Sequence, residues 1–336
     1  MKIGIVTQPL LNNYGGIIQN YALQKVLKSL GHEAVTFDCR YKPIPCWIYL
    51  CSWLKTLFCF FVPDKRRPFA KITPVEKRRE CFEDFVSRNI SKTKPLTSLS
   101  HNLELANQFD AIVVGSDQVW RPKYAPDIDE AFLGFLKNDS IRRVAYAASF
   151  GVDEWEYTAK QTKECSALAK KFKVISVREE SGVDLCKKNL DVDATWVLDP
   201  TLLLQKEDYL KICENVPVSS KPYLAAYVLN MNDSIRKECE QTATEKGLEL
   251  KVFSADAQAS LSVPEWLAMF RDASYVVTDS FHGTAFSIIF GKDFKCLYNE
   301  TRGSARFESL LNLYNSRKLE EMRQFSLNWL KNALES

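Results

Sequence analysis

The sequence predicts an α/β protein built from two parallel-sheet domains, and three observations carry that expectation. Apolar runs of strand length alternate with helix-length segments along most of the chain. The alternation restarts once, after Asp199-Pro200-Thr201. At 336 residues the chain is too long for one small core and suits two domains of roughly 100–200 residues.

In chain order the expected strands are Ile3–Val6, Ala34–Phe37, Ala111–Val114, Val144–Ala147, Val174–Val177 and Trp196–Leu198, then Tyr223–Leu229, Leu250–Phe253, Tyr275–Thr278 and Phe294–Tyr298. Such near-continuous apolar strands fit a parallel sheet covered on both faces. A first Rossmann-like domain is therefore expected over 1–200 and a second over 201–318. Residues 319–336 form a final helical segment whose Trp329 and Leu330 share one side and suit packing back on the first domain.

Composition narrows the function classes. Hydrophobic residues make up 46% and charged residues 26%, which argues for a folded globular protein. The surplus of cations is 45 − 42 = +3, too small to imply nucleic-acid binding. Ten cysteines are scattered without a C-x-x-C pair or a zinc-type spacing with histidine, so no metal is expected. The first residues run straight into a strand without a signal-peptide core, so reduced thiols and a cytoplasmic location are expected.

One aromatic and basic insertion, near 44–95, breaks the rhythm. Its apolar part runs from Ile44 to Val62 and includes Trp47 and Trp53; Lys65, Arg66, Arg67, Lys71, Lys77, Arg78 and Arg79 follow. Pro45, Ser52, Lys55 and Thr56 interrupt it, and a span here would split the first sheet across a bilayer, so a transmembrane helix is not expected. Two readings stay open: an interfacial helix making peripheral membrane contact through 44–79, or a helical hairpin packed on its own domain or on a dimer partner.

In open parallel sheets ligands bind beyond the carboxyl ends of the strands, so the exit residues carry the functional expectation. The first strand exits toward Asn13, Gly15, Gly16 and Gln19; paired glycines at a helix start allow an anion or sugar to approach the backbone or serve a structural turn, and the G-x-G-x-x-G fingerprint is absent. The third exits into Gly115-Ser116-Asp117, where a carboxylate can orient or deprotonate a sugar hydroxyl or else cap a helix. Arg178 at the exit of Val174–Val177 suits bidentate recognition of a carboxylate or phosphate, or an internal pair with Glu179, Glu180 or Asp199. Tyr275–Thr278 exits into Asp279-Ser280-Phe281-His282 and a helix opening at Gly283 or Thr284, which puts a titratable ring at a helix N-terminus that favours anions, or else a histidine that merely caps the turn. Arg302 and Arg306 stand downstream, as further cations for the cleft or as residues of a solvated helix face.

Asn13-Tyr14-Gly15-Gly16 with Gln19-Asn20-Tyr21-Ala22-Leu23-Gln24, Val114-Gly115-Ser116-Asp117-Gln118-Val119-Trp120, Ser176-Val177-Arg178-Glu179, Leu198-Asp199-Pro200-Thr201 and Thr278-Asp279-Ser280-Phe281-His282-Gly283-Thr284 together resemble the polysaccharide pyruvyl transferase family across nearly the whole chain. The resemblance implies a glycosyltransferase-B-like fold, two Rossmann-like domains facing a cleft. It also implies transfer of pyruvate from phosphoenolpyruvate to a glycan or lipid-linked glycan as a ketal, with no further cofactor. Arg178 matches the arginine expected to hold the donor, and His282 matches the histidine of the second domain. Family members often carry Arg-Leu-His where this chain has Ser280-Phe281-His282, so one donor-binding cation is missing. The expected site thus has His282 as proton donor and Asp117 orienting or deprotonating the acceptor, with Arg178, Asn13, Gly15, Gly16, Gln19, Ser116, Asp279, Ser280, Gly283, Thr284, Arg302 and Arg306 binding substrate. A glycosyltransferase using a nucleotide-activated sugar, and a non-catalytic glycan- or anion-binding relative, are the alternatives.

Overall fold

The computed structural model describes residues 1–40, 46–60, 78–254, 261–297 and 304–335, with 58–60 described in their backbone alone. The chain runs β1 (Lys2–Val6), α1 (Tyr14–Ser29), β2 (Glu33–Thr36), α2 (Cys46–Phe60), α3 (Glu80–Asn89), α4 (Leu103–Ala106), β3 (Ala111–Val114), α5 (Ile128–Ala131), β4 (Arg142–Ala148), α6 (Ala159–Ala169), β5 (Val174–Val177), α7 (Glu180–Leu185) and β6 (Thr195–Trp196). It continues through α8 (Lys206–Ile212), β7 (Tyr223–Tyr227), α9 (Asp233–Glu245), β8 (Glu249–Phe253), α10 (Val263–Asp272), β9 (Tyr275–Thr278), α11 (Phe281–Ile289), β10 (Asp293–Cys296), α12 (Ala305–Asn315) and α13 (Leu319–Glu335).

The strands form two sheets, ordered β2-β1-β3-β4-β5-β6 and β10-β9-β7-β8, and every pairing is parallel. The expected α/β fold of two parallel sheets is thus present. Each order reverses once, between β1 and β3 in the first sheet and between β7 and β9 in the second. At such a reversal successive loops leave in opposite directions and open a crevice.

Burial follows the strand period of two. Along β3, Ala111 and Val113 join the core that also holds Tyr14, Tyr223, Trp266 and Phe286, whereas Ile112 and Val114 join a second core with Trp120 and Phe132 on the other face. The first of these cores is continuous between the sheets. Tyr14 stacks on Trp266 of α10 at 5.1 Å, and its hydroxyl donates to the Leu261 carbonyl. Helix α13 returns to the first sheet: Ser326 Oγ accepts from Leu198 N, Arg142 donates to the carbonyls of Ala333 and Leu334, and Trp329 lies against Tyr146.

The structure amends several sequence expectations. Strand β7 stops at Tyr227 rather than Leu229, because the Leu229 and Asn230 amides bond to the Asp279 carboxylate at 2.6 and 3.1 Å instead of extending a ladder. Helix α11 opens at Phe281, two residues before the expected start, since Ser280 takes the N-cap position and accepts from Gly283 N. Arg78 leaves the basic patch: its guanidinium is buried and bonds Asp38 and Glu83, each at 3.0 Å, and its Nε donates to Leu10 O. Asn20 and Gln24 are structural, tying α1 to Thr36 and Ser91.

Candidate functional site

Both sheet reversals deliver their loops to one place. From the first sheet come Asn13, Gly15 and Gly16 after β1, Ser116 and Asp117 after β3, and Arg178 after β5; from the second comes His282 after β9. Asn13 caps α1 through its side chain to Gly15 N. The α1 and α11 N-termini meet so closely that a Cβ on Gly15 would lie 2.0 Å from His282 Nδ1. Glycine is needed there for that approach. A Cβ on Gly16 would sit 3.5 Å from Asp117 Oδ2, an ordinary contact.

Asp199 is the hub. Its Oδ2 accepts from Ser116 Oγ at 2.8 Å and Arg178 Nη1 at 2.9 Å and lies 3.8 Å from His282 Nε2. Its Oδ1 accepts from Thr201 N and Oγ1 at 3.0 and 2.7 Å. Burial alone would raise this carboxyl, but His282, Arg178 and the Thr201 amide hold it below its ordinary value. Arg178 therefore makes the internal pair with Asp199 as well as lying at a strand exit. Its Nη2 is 3.5 Å from Asp117 Oδ1, and its guanidinium lies 4.4 Å from the Phe281 ring centre.

Asp117 adopts a left-handed backbone, φ +74°, which aspartate tolerates better than most residues. A short extension of the sheet holds it: Ser149 N donates to Asp117 O, and Asp117 bridges Ala148. No helix starts there, so neither Ser116 nor Asp117 is an N-cap; the Asp117 carboxylate accepts from Gln118 N and Asn13 Nδ2 and faces Arg178.

Exposure separates the cluster into two layers. The side chains of Asp117 and His282 keep 9% and 8% of their surface in contact with solvent, while Arg178 and Asp199 keep 1% and 0%. Burial pushes the His282 imidazole below its ordinary value; Asp199 and Asp117 oppose this, and Arg178 and Arg306 reinforce it. The imidazole is consequently neutral near pH 7. Arg306, in the first turn of α12, is also buried, pushed down to about 10 by burial and then by Arg178, and so remains a cation. With Arg178, Asp199 and Phe281 it lines a void of about 10 Å³ behind the cluster.

Other expected site residues have local duties. Asp279 brackets the chain after β7. Thr284 Oγ1 donates to Ser280 O, and Gln19 Nε2 donates to Thr7 Oγ1 and Gly16 O. Gly283 admits the close packing of α11 on β9, since a Cβ would lie 2.2 Å from Thr278 Oγ1. Arg302 lies outside the described residues. Among the described residues no group of three His, Cys, Asp or Glu side chains could hold a metal ion.

Sequence reasoning passed over Asp199 as a site residue, treating it as a domain boundary and a pairing partner. Its position after β6 was the available signal. Glu179 was missed in the same way: its Oε1 accepts from Phe150 N and Gly151 N, so one carboxylate fixes the exit of β4 beside Arg178.

A family model described as polysaccharide pyruvyl transferase matches residues 13–301. No curated protein matches the chain. Among solved structures, the chain is similar to an alpha-glucosyltransferase in complex with UDP and a 13-mer DNA, at 10% identity and a TM-score of 0.45 over 98% of this chain and 95% of that one. It is also similar to the UDP-GlcNAc 2-epimerase of Methanocaldococcus jannaschii, at 12% identity and 0.46 over 96% and 93%. A third, the wall teichoic acid polymerase TagF, aligns at 11% identity and 0.44 over 98% and 82%.

Proposed function

The chain belongs to the polysaccharide pyruvyl transferase family, and from that premise we propose that it transfers the pyruvyl group of phosphoenolpyruvate onto two hydroxyls of a glycan, closing a ketal and releasing phosphate. One observation carries the choice of an oxygen-rich anionic donor. Arg178 Nε and Nη2 and His282 Nε2 are buried and lack hydrogen-bond partners among the described residues. A buried polar group left unsatisfied costs about 1–3 kcal/mol, more when charged, so these nitrogens call for ligand oxygens. The helix N-termini of α1 and α11 point at the same place and add to the attraction.

On this reading the donor's carboxylate and phosphate lie against His282 and the α11 N-terminus, with the field of Arg178 and Arg306 behind them. Arg306 supplies from α12 the second guanidinium charge that Ser280 does not provide. Protonation of the donor's methylene carbon by His282 leaves an oxocarbenium-like centre at the neighbouring carbon. A first sugar hydroxyl attacks that centre and gives up its proton to Asp117. A second hydroxyl then forms the other C–O bond as the C–O bond to phosphate breaks, and its proton leaves with the products. The fixed cations stabilise the departing phosphate. Asp199 holds Arg178 and faces His282 throughout. We place the reaction in the cytoplasm, with a glycan or lipid-linked glycan as acceptor.

A thermal-shift series tests the donor. Phosphoenolpyruvate should stabilise the protein more than phosphate, 2-phosphoglycerate or nucleotide sugars at equal concentration, by about 2.7 kcal/mol at a hundredfold excess over Kd. The shift should be lost in His282→Gln and in Arg178→Lys. Stabilisation by a nucleotide sugar alone would replace this reading with glycosyl transfer; silence throughout would favour a non-catalytic relative.

A further inference from the structure

The charges buried around the site do not favour an anion by simple count. Among the described residues two guanidiniums, Arg178 and Arg306, and three carboxylates, Asp117, Glu179 and Asp199, are buried there. Arg121, which also acts on Arg306, is taken up by Glu156, meeting it through Nε and Nη2, each at 2.8 Å. His282 is neutral near pH 7. The formal charge is therefore 2 − 3 = −1, in a place whose two guanidiniums would otherwise attract phosphate strongly.

Glu179 is the carboxylate that stands apart. Asp199 bonds Arg178 at 2.9 Å, and Asp117 lies 3.5 Å from the same guanidinium. Glu179 is 0% exposed and bonds backbone instead: its Oε1 accepts from Phe150 N at 2.7 Å and Gly151 N at 3.1 Å, while its Oε2 is buried without a partner among the described residues. A glutamine carbonyl, with two lone pairs, would accept the same two bonds. Burying a charged oxygen unsatisfied costs stability, so the clamp on the two amides does not account for the charge. Contact with a ligand on Arg178 does not account for it either. The backbone at Glu179 is extended, φ −112° and ψ 145°, and successive side chains of an extended segment point to opposite sides. What remains is its field. Burial and Arg178 push the Arg306 guanidinium down, and Glu179 and Asp117 work against them. At Arg178 burial again opposes the charge, and Asp199, Asp117 and Glu179 together sustain it.

We propose that Glu179 is a counter-charge: acting through Arg178 and Arg306, it lowers the affinity of the site for phosphate-bearing anions, so that the phosphate formed in the reaction is released. The inference rests on the reading above that an anionic donor lies against Arg178 and His282. Inorganic phosphate keeps the charge of the donor's phosphate group, and two buried guanidiniums in a low-dielectric site would hold it as a product as well as they hold it in the donor. A third buried carboxylate offsets part of that attraction without entering the ligand's space. Glu179 is thus a positioning residue, felt by the ligand through the two arginines.

Calorimetric titration of inorganic phosphate and of phosphoenolpyruvate into the full chain tests it, with two variants. Glu179→Gln keeps the amide clamp and removes the charge. It should tighten both anions roughly tenfold, the order expected for one unit charge about 10 Å from another at an effective dielectric of about 20, and slow phosphate dissociation by a similar factor. Glu179→Asp keeps the charge and shortens the reach to Phe150 N and Gly151 N; it should lower the melting temperature and leave both affinities near those of the wild type. Phosphate binding by Glu179→Gln no tighter than by the wild type would overturn the inference. So would failure of Glu179→Gln to fold, which would make the charge structural, and so would equal tightening in Glu179→Asp, which would assign the effect to a disturbed loop. The donor is judged separately. Tighter phosphate binding by Glu179→Gln, with no preference of the wild type for phosphoenolpyruvate over phosphate, would keep the counter-charge and remove the pyruvyl donor; a clear preference with unchanged affinities in Glu179→Gln would do the reverse.

Discussion

His282 lies among four charged side chains and yet is held neutral. Burial outweighs the attraction of Asp199 and Asp117, and the cations Arg178 and Arg306 push the same way. A donor bearing carboxylate and phosphate charge reverses that balance, because negative charge beside the ring favours its protonated form. Binding of phosphoenolpyruvate at pH 7 should therefore take up a fraction of a proton. Calorimetry in buffers of differing ionisation enthalpy measures it, and His282→Gln should abolish the buffer dependence. Without ligand the linkage has a definite sign. The folded-state pKa lies below the unfolded value of about 6.5, so the unfolded chain takes up its proton first as pH falls and stability declines below that value. His282→Gln should flatten the decline in urea-unfolding free energy below about pH 6.5. Sequence inspection located this ring at a helix N-terminus. It did not disclose that the ring would be buried, because Gly15 on α1, which it packs against, and the charges of Arg178 after β5 and Arg306 on α12 come from distant parts of the chain.

At the scale of elements, the two helix N-termini facing the site are built differently. In α1 the cap is a side chain: Asn13 Oδ1 accepts from Gly15 N while its amide donates to Asp117. Asn13→Ala should cost about 1 kcal/mol of unfolding free energy. In α11 the critical feature is an absent side chain. Thr278 Oγ1, which a Cβ on Gly283 would strike, donates to Tyr227 O and accepts from Ser280 N, and so has no room to move. Gly283→Ala should cost about 1–3 kcal/mol by overpacking. Denaturant titration of the pair separates the two, and a smaller loss for Gly283→Ala than for Asn13→Ala would contradict the packing argument. Both loops were legible as polar strand exits with glycines. The exact start of α11 was not, since Ser280 becomes the cap only where Thr278 and Tyr227 hold the turn.

For the whole molecule, the feature of greatest consequence is that the halves share one core. Tyr14 and Trp266 stack between the domains, and α13 closes over β4 after the chain has completed the second sheet. Removing 319–335 should therefore weaken the first sheet, uncovering Tyr146 and freeing the Leu198 amide that Ser326 accepts from. Amide hydrogen exchange should show β4 and the chain at Leu198 losing protection more than β8, which lies at the far edge of the second sheet. Equal loss in both sheets would mean that α13 stabilises the molecule as a unit.

The sequence by itself determined that ten strands form and roughly where, the parallel sheets and the polar character of the strand exits, because buried parallel strands need continuous apolar runs and ligand loops need polar residues and glycine; the strand expected at Trp196–Leu198 forms at Thr195–Trp196 and the one expected at Phe294–Tyr298 at Asp293–Cys296. It also set the apolar and basic composition of the insertion. Only the tertiary structure decided which polar groups converge. Asp199 lies 83 positions from Ser116, its partner at the first-sheet reversal, and a further 83 from His282, and nothing in local spacing marks it as the residue to which both are drawn. Arg78 and the face of α2 make the same point from opposite sides. A cation that read as part of a basic patch was turned inward because Asp38 and Glu83 were there to meet it, and in a helix whose sequence left its packing open Tyr49 and Thr56 are buried while Trp47, Leu50 and Leu54 face outward. Pattern specifies what each segment can bury; long-range packing specifies against what.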